Sequence, residues 1–157
     1  MSGTFSDVTA PQKEVIIMEI LYKTTAVNIG GRDGKVEVKD SPLQFDMALP
    51  TELGGAKESG ANPEQLFAAG YATCFGSAMQ HALRTQNVHT SVPSIRLTVG
   101  IGKAEGGGYK LAVDIAASFK GIDQATADSL LKEAHEVCPY SRATRGNIDV
   151  TLKSIIE

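Results

Sequence analysis

Along the chain, stretches in which apolar and polar residues alternate give way to stretches in which apolar residues recur every three or four positions, and each change of period marks an element. From Val15 to Ala48 the pattern is strand-like. VIIMEILYKTTAVNI is rich in β-branched and apolar residues, GGRDG interrupts it as a turn, and KVEVKD alternates again, which predicts a hairpin with Arg32 at its tip. A glycine-rich stretch, LPTELGGAKESGA, leads to Asn62, a good N-cap, with Pro63 at the first helical position and Glu64 beside it. That helix is expected to run to about Gln86. SIRLTVGIGKA and GYKLAVDIAASF predict a second hairpin around EGGG, with alternation at Leu111, Val113, Ile115 and Ala117. Asp123 caps a second helix whose apolar positions Ala127, Leu130, Leu131, Ala134, Val137 and Cys138 fall close to one face, and Pro139 ends the regular pattern soon after. NIDVTLKSIIE closes the chain as a strand. The order hairpin, helix, hairpin, helix, strand argues for an α+β fold with antiparallel β-sheets packed around two central helices, and against a doubly wound parallel sheet. Residues 1–17 are expected to be a flexible N-terminal extension and residues 18–157 a single domain.

Composition narrows the classes of partner. A chain of 157 residues supports one core that buries roughly two-thirds of the unfolded surface. A net charge of −3, with 21% charged residues, lacks the basic excess that nucleic acid or an anionic membrane would require. No apolar stretch approaches the ~20 residues of a membrane span, and the N-terminus lacks a basic segment followed by an apolar one. The expected setting is therefore cytoplasmic, with no membrane and no nucleic acid among its partners.

The chemistry-bearing candidates are the two cysteines, Cys74 and Cys138. Three readings are open for them: unpaired core thiols, a structural bridge, or a redox couple, of which the last is the sharpest. A reactive thiol needs a cation or a helix N-terminus to favour its thiolate. Cys74 sits three turns into its helix, where the dipole has faded, so its cation must come from elsewhere. Arg32, among Gly30, Gly31 and Gly34, is the candidate, set against the plain reading of an exposed turn arginine. Glu64 could hold that guanidinium in a bidentate pair, or could merely complement the helix dipole. Ten residues separate Glu64 from Cys74, about 15 Å along a straight helix and on different faces. A catalytic Glu64 would therefore require a bent helix or a second copy of the chain.

NPEQLFAAGYATCF followed by CPYSRATRGNIDV, with GGRDG upstream, resembles the organic hydroperoxide resistance proteins, a branch of the osmotically inducible protein C superfamily. The resemblance spans about Met18 to the C-terminus. It implies an OsmC-like fold, an intertwined homodimer with two interfacial active sites, and a thiol peroxidase. Cys74 matches the peroxidatic cysteine, Cys138 the resolving cysteine, and Arg32 and Glu64 the activating pair. The implied cycle reduces an alkyl or fatty acyl hydroperoxide to its alcohol. It passes through a Cys74 sulfenic acid and a Cys74–Cys138 disulfide, which an external dithiol then reduces; in this family that dithiol resembles dihydrolipoamide on a lipoylated protein. No metal and no bound cofactor is expected. The apolar residues around Cys74, namely Leu66, Phe67, Tyr71, Phe75 and Met79, suit an organic substrate or simply the core.

Two other arrangements compete. A metal site built from Cys74, His81, His135 and Cys138 is disfavoured because His81 lies roughly 10 Å from Cys74 along a helix. A non-enzymatic dimeric redox sensor or small-molecule binding protein on the same fold would keep the disulfide without turnover. A cysteine protease would need a histidine near the thiol and an oxyanion hole, for which the sequence has no local signature.

Overall fold

The computed structural model of the chain describes residues 18–56 and 59–157. The expected extension, residues 1–17, lies outside the described residues, as do the first residues of the expected strand run. Beyond Met18 there is less strand than the apolar pattern suggests. Residues 18–25 carry no strand, and Met18, Ile20, Leu21 and Tyr22 are exposed. A ladder needs a partner as well as β-prone residues, and among the described residues no strand pairs with this stretch.

A small antiparallel sheet comes first: β1 (Ala26–Ile29), β2 (Lys35–Val38) and β3 (Gln44–Asp46), in that order. The β1–β2 turn is a short 3-10 segment, Gly31–Asp33, entered through Gly30 at φ +85 and Gly31 at φ +62. A Cβ on Gly34 would stand 1.8 Å from the Ile29 carbonyl oxygen, so the strands can close only over a glycine. Asn28 latches the turn from below. Its amide donates to the carbonyls of Gly31 (3.1 Å) and Lys35 (3.0 Å), and its side-chain oxygen accepts from the Gly31 N–H at 3.0 Å. Arg32 is thus carried at the tip of a braced hairpin, as the glycine spacing predicts.

The long helix α1 (Pro63–Thr85) starts as its sequence requires. Asn62 accepts from the Gln65 N–H at 2.8 Å, and the Gln65 side chain accepts the Asn62 N–H at 3.0 Å, a reciprocal capping box that satisfies two otherwise orphaned donors. One stripe of α1, formed by Tyr71, Phe75, Ala78, Met79, Ala82 and Leu83, is buried. It packs on the second sheet, built from β4 (Ser94–Lys103), β5 (Tyr109–Phe119) and β6 (Asp149–Ile156). The expected alternation on β5 holds at Val113, Ile115 and Ala117, which are buried, as is Phe119 beyond them, while Leu111 near the start of the strand is half-buried. The helix α2 (Gln124–Val137), capped by Asp123, adds Ala127, Leu130, Leu131 and Ala134 to the same core.

Three details depart from the sequence pattern. β4 and β5 are antiparallel, but β6 lies parallel to β5, Val113 opposite Val150 and Ile115 opposite Leu152, so this sheet is mixed. Two helices intervene between β5 and β6, and that crossover carries the chain back to start its last strand in the same direction. Val137, counted with the apolar face of α2, is 38% exposed, because the helix is ending there. Pro139 does not end helical structure but opens another helix, α3 (Pro139–Thr144).

Candidate active site

Arg32 and Glu64 meet across the gap between the hairpin tip and the first turn of α1. The guanidinium donates two parallel bonds to the carboxylate, Nη1 to Oε2 at 2.9 Å and Nη2 to Oε1 at 2.6 Å. This fork-to-fork geometry fixes the arginine's plane as well as its position. The bond from Arg32 holds the Glu64 carboxyl below its usual range, and the reciprocal bond raises the arginine further. Both groups are therefore charged at any ordinary pH. Arg32 keeps about a third of its side-chain surface exposed.

The thiols meet elsewhere. α2 ends at Val137, and Cys138 takes the extended backbone that a residue before proline must adopt. Its N–H closes α2 on the Ala134 carbonyl, and its carbonyl accepts from the Arg142 N–H to begin α3, both at 3.0 Å. This single residue joins two helices and aims a buried side chain at α1, where Cys138 Sγ lies 3.7 Å from Cys74 Sγ. Both cysteines are free thiols. Partial burial pushes the Cys74 thiol up, the Tyr140 amide donating toward its sulfur pulls it down, and the neighbouring Cys138 pushes it up again. The Tyr140 amide was not legible in the sequence, because it reaches Cys74 only through the helix that Pro139 starts.

Of the four expected site residues, one chain brings together Arg32 with Glu64, and Cys74 with Cys138. The two pairs sit apart on α1: ten residues, about 15 Å along the axis, separate Glu64 from Cys74, and the groups that shift the Cys74 thiol are its own burial, the Tyr140 amide and Cys138. Of the apolar residues expected around Cys74, Tyr71, Phe75 and Met79 are wholly core, leaving Leu66 and Phe67 half-buried. No group of three histidine, cysteine or acidic side chains able to hold a metal ion occurs among the described residues. His81 is exposed and bonded to Thr85 one turn on. His135 is half-buried with its pKa lowered, first by burial and then by the charge of Arg145.

Comparison with known proteins places the chain in a family. The sequence pattern of the OsmC-like protein family matches residues 54–153. An organic hydroperoxide resistance protein of Xanthomonas axonopodis pv. citri (strain 306) is 47% identical over 137 residues, covering 85% of this chain and 94% of that protein. The organic hydroperoxide resistance protein OhrA of Bacillus subtilis (strain 168) is 45% identical over 135 residues, covering 85% of this chain and 95% of the relative. The crystal structure of an organic hydroperoxide resistance protein from Elizabethkingia anophelis, with crystallant-derived thiocyanate bound, superposes with a TM-score of 0.84 at 42% identity, covering 89% of this chain and all of that one.

Proposed function

The chain belongs to the OsmC-like protein family and is similar over most of its length to organic hydroperoxide resistance proteins; from that premise we propose that it is a cysteine-based peroxidase that reduces organic hydroperoxides. The observation that carries the reading is the 3.7 Å approach of two free thiols held on separate helices. A core packing role alone gives no reason for the second thiol to be aimed at the first.

In the proposed cycle the Cys74 thiolate attacks the terminal oxygen of the hydroperoxide. The O–O bond breaks, the alkoxide leaves and takes a proton to become the alcohol, and Cys74 becomes a sulfenic acid. Cys138 then forms the S–S bond, the S–O bond breaks, and the departing hydroxide leaves as water with the Cys138 proton. A dithiol, for which dihydrolipoamide on a lipoylated protein is the expected form, restores both thiols by exchange. Such a cycle needs neither metal nor bound cofactor, and it suits a reducing, cytoplasmic setting.

Arg32 is assigned the task of favouring the thiolate and the developing alkoxide, with Glu64 orienting it. One chain keeps the arginine–glutamate pair apart from its own thiol, so the reading includes a homodimer in which Arg32 of one copy serves Cys74 of the other. The exposed apolar residues Met18, Ile20, Leu21, Tyr22 and Ile29 support an extensive contact between copies.

The test is consumption of an alkyl hydroperoxide coupled to dihydrolipoamide, for the wild type and Cys74→Ser. Rapid turnover that the substitution abolishes is the expected result. Disulfide formation without turnover would instead make the protein a redox sensor.

A further inference from the structure

The helix that brings Cys138 to Cys74 is anchored by a buried polar contact to which the proposed chemistry assigns no part. Tyr71, on α1 one turn before Cys74, is fully buried, as is Ser141 on α3, and Thr144 is nearly so. The Tyr71 phenol lies 2.8 Å from the Ser141 hydroxyl and 3.4 Å from that of Thr144, and the Thr144 hydroxyl donates to the Ser141 carbonyl at 3.1 Å. Beside this contact the Tyr140 ring stacks on Tyr71, with centroids 5.5 Å apart. A side chain at Gly70 would stand 3.0 Å from the Tyr140 hydroxyl, a tight contact that a larger residue would relieve by shifting the ring.

These contacts converge on one mechanical task. α3 has only six residues, too short to hold itself in place by its own backbone bonds. Cys138 is its cap and Tyr140 its second residue, so whatever fixes α3 to α1 fixes both the resolving thiol and the amide that faces Cys74. The sulfurs at 3.7 Å must close to about 2.05 Å on bonding, and the rate of that closure depends on how narrowly Cys138 is confined. Burial strengthens the contact's directional hold, since a phenol and a hydroxyl cut off from water must find their partners in each other and in the neighbouring Thr144 hydroxyl.

We infer that Tyr71, through Ser141, is a positioning residue for the resolving step: it holds α3 so that Cys138 attacks the oxidised Cys74 before a second hydroperoxide can. The inference rests on the proposed peroxidase reading, and it predicts which step is affected. The phenol bonds Ser141 and Thr144 and not a sulfur, so its main effect falls on formation of the disulfide; the Tyr140 amide is one influence among several on the Cys74 thiol, so the first oxidation changes much less. In that step the Cys138 sulfur bonds to the Cys74 sulfur, the S–O bond breaks, and water leaves.

The experiment compares the wild-type protein with Tyr71→Phe, which keeps the ring and its packing, and with Ser141→Ala. Each is treated with one equivalent of cumene hydroperoxide while loss of the Cys74 thiol and lifetime of the dimedone-trappable sulfenic acid are followed separately. Removing the bond should lengthen the sulfenic acid lifetime about tenfold in either variant, with the first oxidation unchanged to within about twofold. The double variant should add little to the single ones, since both remove the same bond. A second arm equilibrates the proteins with lipoamide and dihydrolipoamide without peroxide, where the Cys74–Cys138 disulfide should be about tenfold less favoured in the variants. Wild-type turnover with an unchanged sulfenic acid lifetime in the variants overturns the positioning role. So does equal slowing of both steps, which would mark a general structural defect. A wild type that consumes no hydroperoxide, while the variants still shift the lipoamide equilibrium, overturns the peroxidase reading and leaves the positioning role standing.

Discussion

Cys74 in a single chain is poorly placed to be a thiolate, since burial and its sulfur neighbour both favour the protonated form and only the Tyr140 amide opposes them. If Arg32 supplies the missing charge, Arg32→Ala should move the pH profile of Cys74 alkylation to higher pH and cut peroxidase turnover by about a hundredfold. An unchanged profile would leave Arg32 as a turn residue. Cys138→Ser should still reduce one equivalent of hydroperoxide and then stall or over-oxidise; mass spectrometry of Cys74 as sulfinic acid reads this directly, and undiminished turnover with dihydrolipoamide would remove the resolving role. Glu64 makes a separate, signed prediction. Because Arg32 depresses its folded-state pKa, the pair's contribution to stability is complete above the ordinary carboxyl value of 4.5 and fades as pH falls through the lower folded value. Glu64→Gln should therefore cost about 1 kcal/mol or less near neutrality and lose its effect in acid, as read by urea unfolding at several pH values. The identities of all four residues were legible because charge and thiol chemistry are properties of single side chains. That Arg32 grips Glu64 with both nitrogens needed the hairpin and helix to be set side by side.

The helices and turns show local rules at work, and also where those rules are ambiguous. The start of α1 was readable because Asn62, Pro63 and Gln65 act on backbone groups within four residues of themselves. Replacing Asn62 by Ala should cost about 1 kcal/mol of stability, measured by denaturant unfolding. The hairpin is similarly local: with the Ile29 carbonyl against any Cβ at position 34, Gly34→Ala should displace the Arg32 turn. The expected outcome is low turnover with a Cys74 thiol that still reacts with iodoacetamide, and full turnover would show that the turn adapts. α3 was missed for a physical reason. Proline both disfavours helix in the residue before it and suits the first position of a new one, and a pattern of six residues cannot decide between the two. The direction of β6 was equally hidden, because parallel and antiparallel strands share the same alternation and only the path of α2 selects between them.

For the whole molecule the central question is whether two chains make one site. Arg32→Ala and Cys74→Ser variants, each inactive alone, should regain about a quarter of wild-type activity when refolded together, because half the dimers are mixed and each of those has one intact site. No recovery would mean that Arg32 serves its own chain's thiol, and a monomer by sedimentation would remove the shared site altogether. The sequence by itself determined the element types of the core, the capping of α1 and α2, the four candidate side chains and the family resemblance. All of these follow from neighbours a few positions apart or from residue identity. Only the tertiary structure decided that Cys138 meets Cys74, that Tyr71 bonds Ser141 beside it, and that Arg32 and Glu64 form a bidentate pair. The thiols are 64 residues apart, and the separation after folding depends on how helices pack over a sheet; side-chain volume and burial set that packing jointly, and no short stretch of sequence contains it.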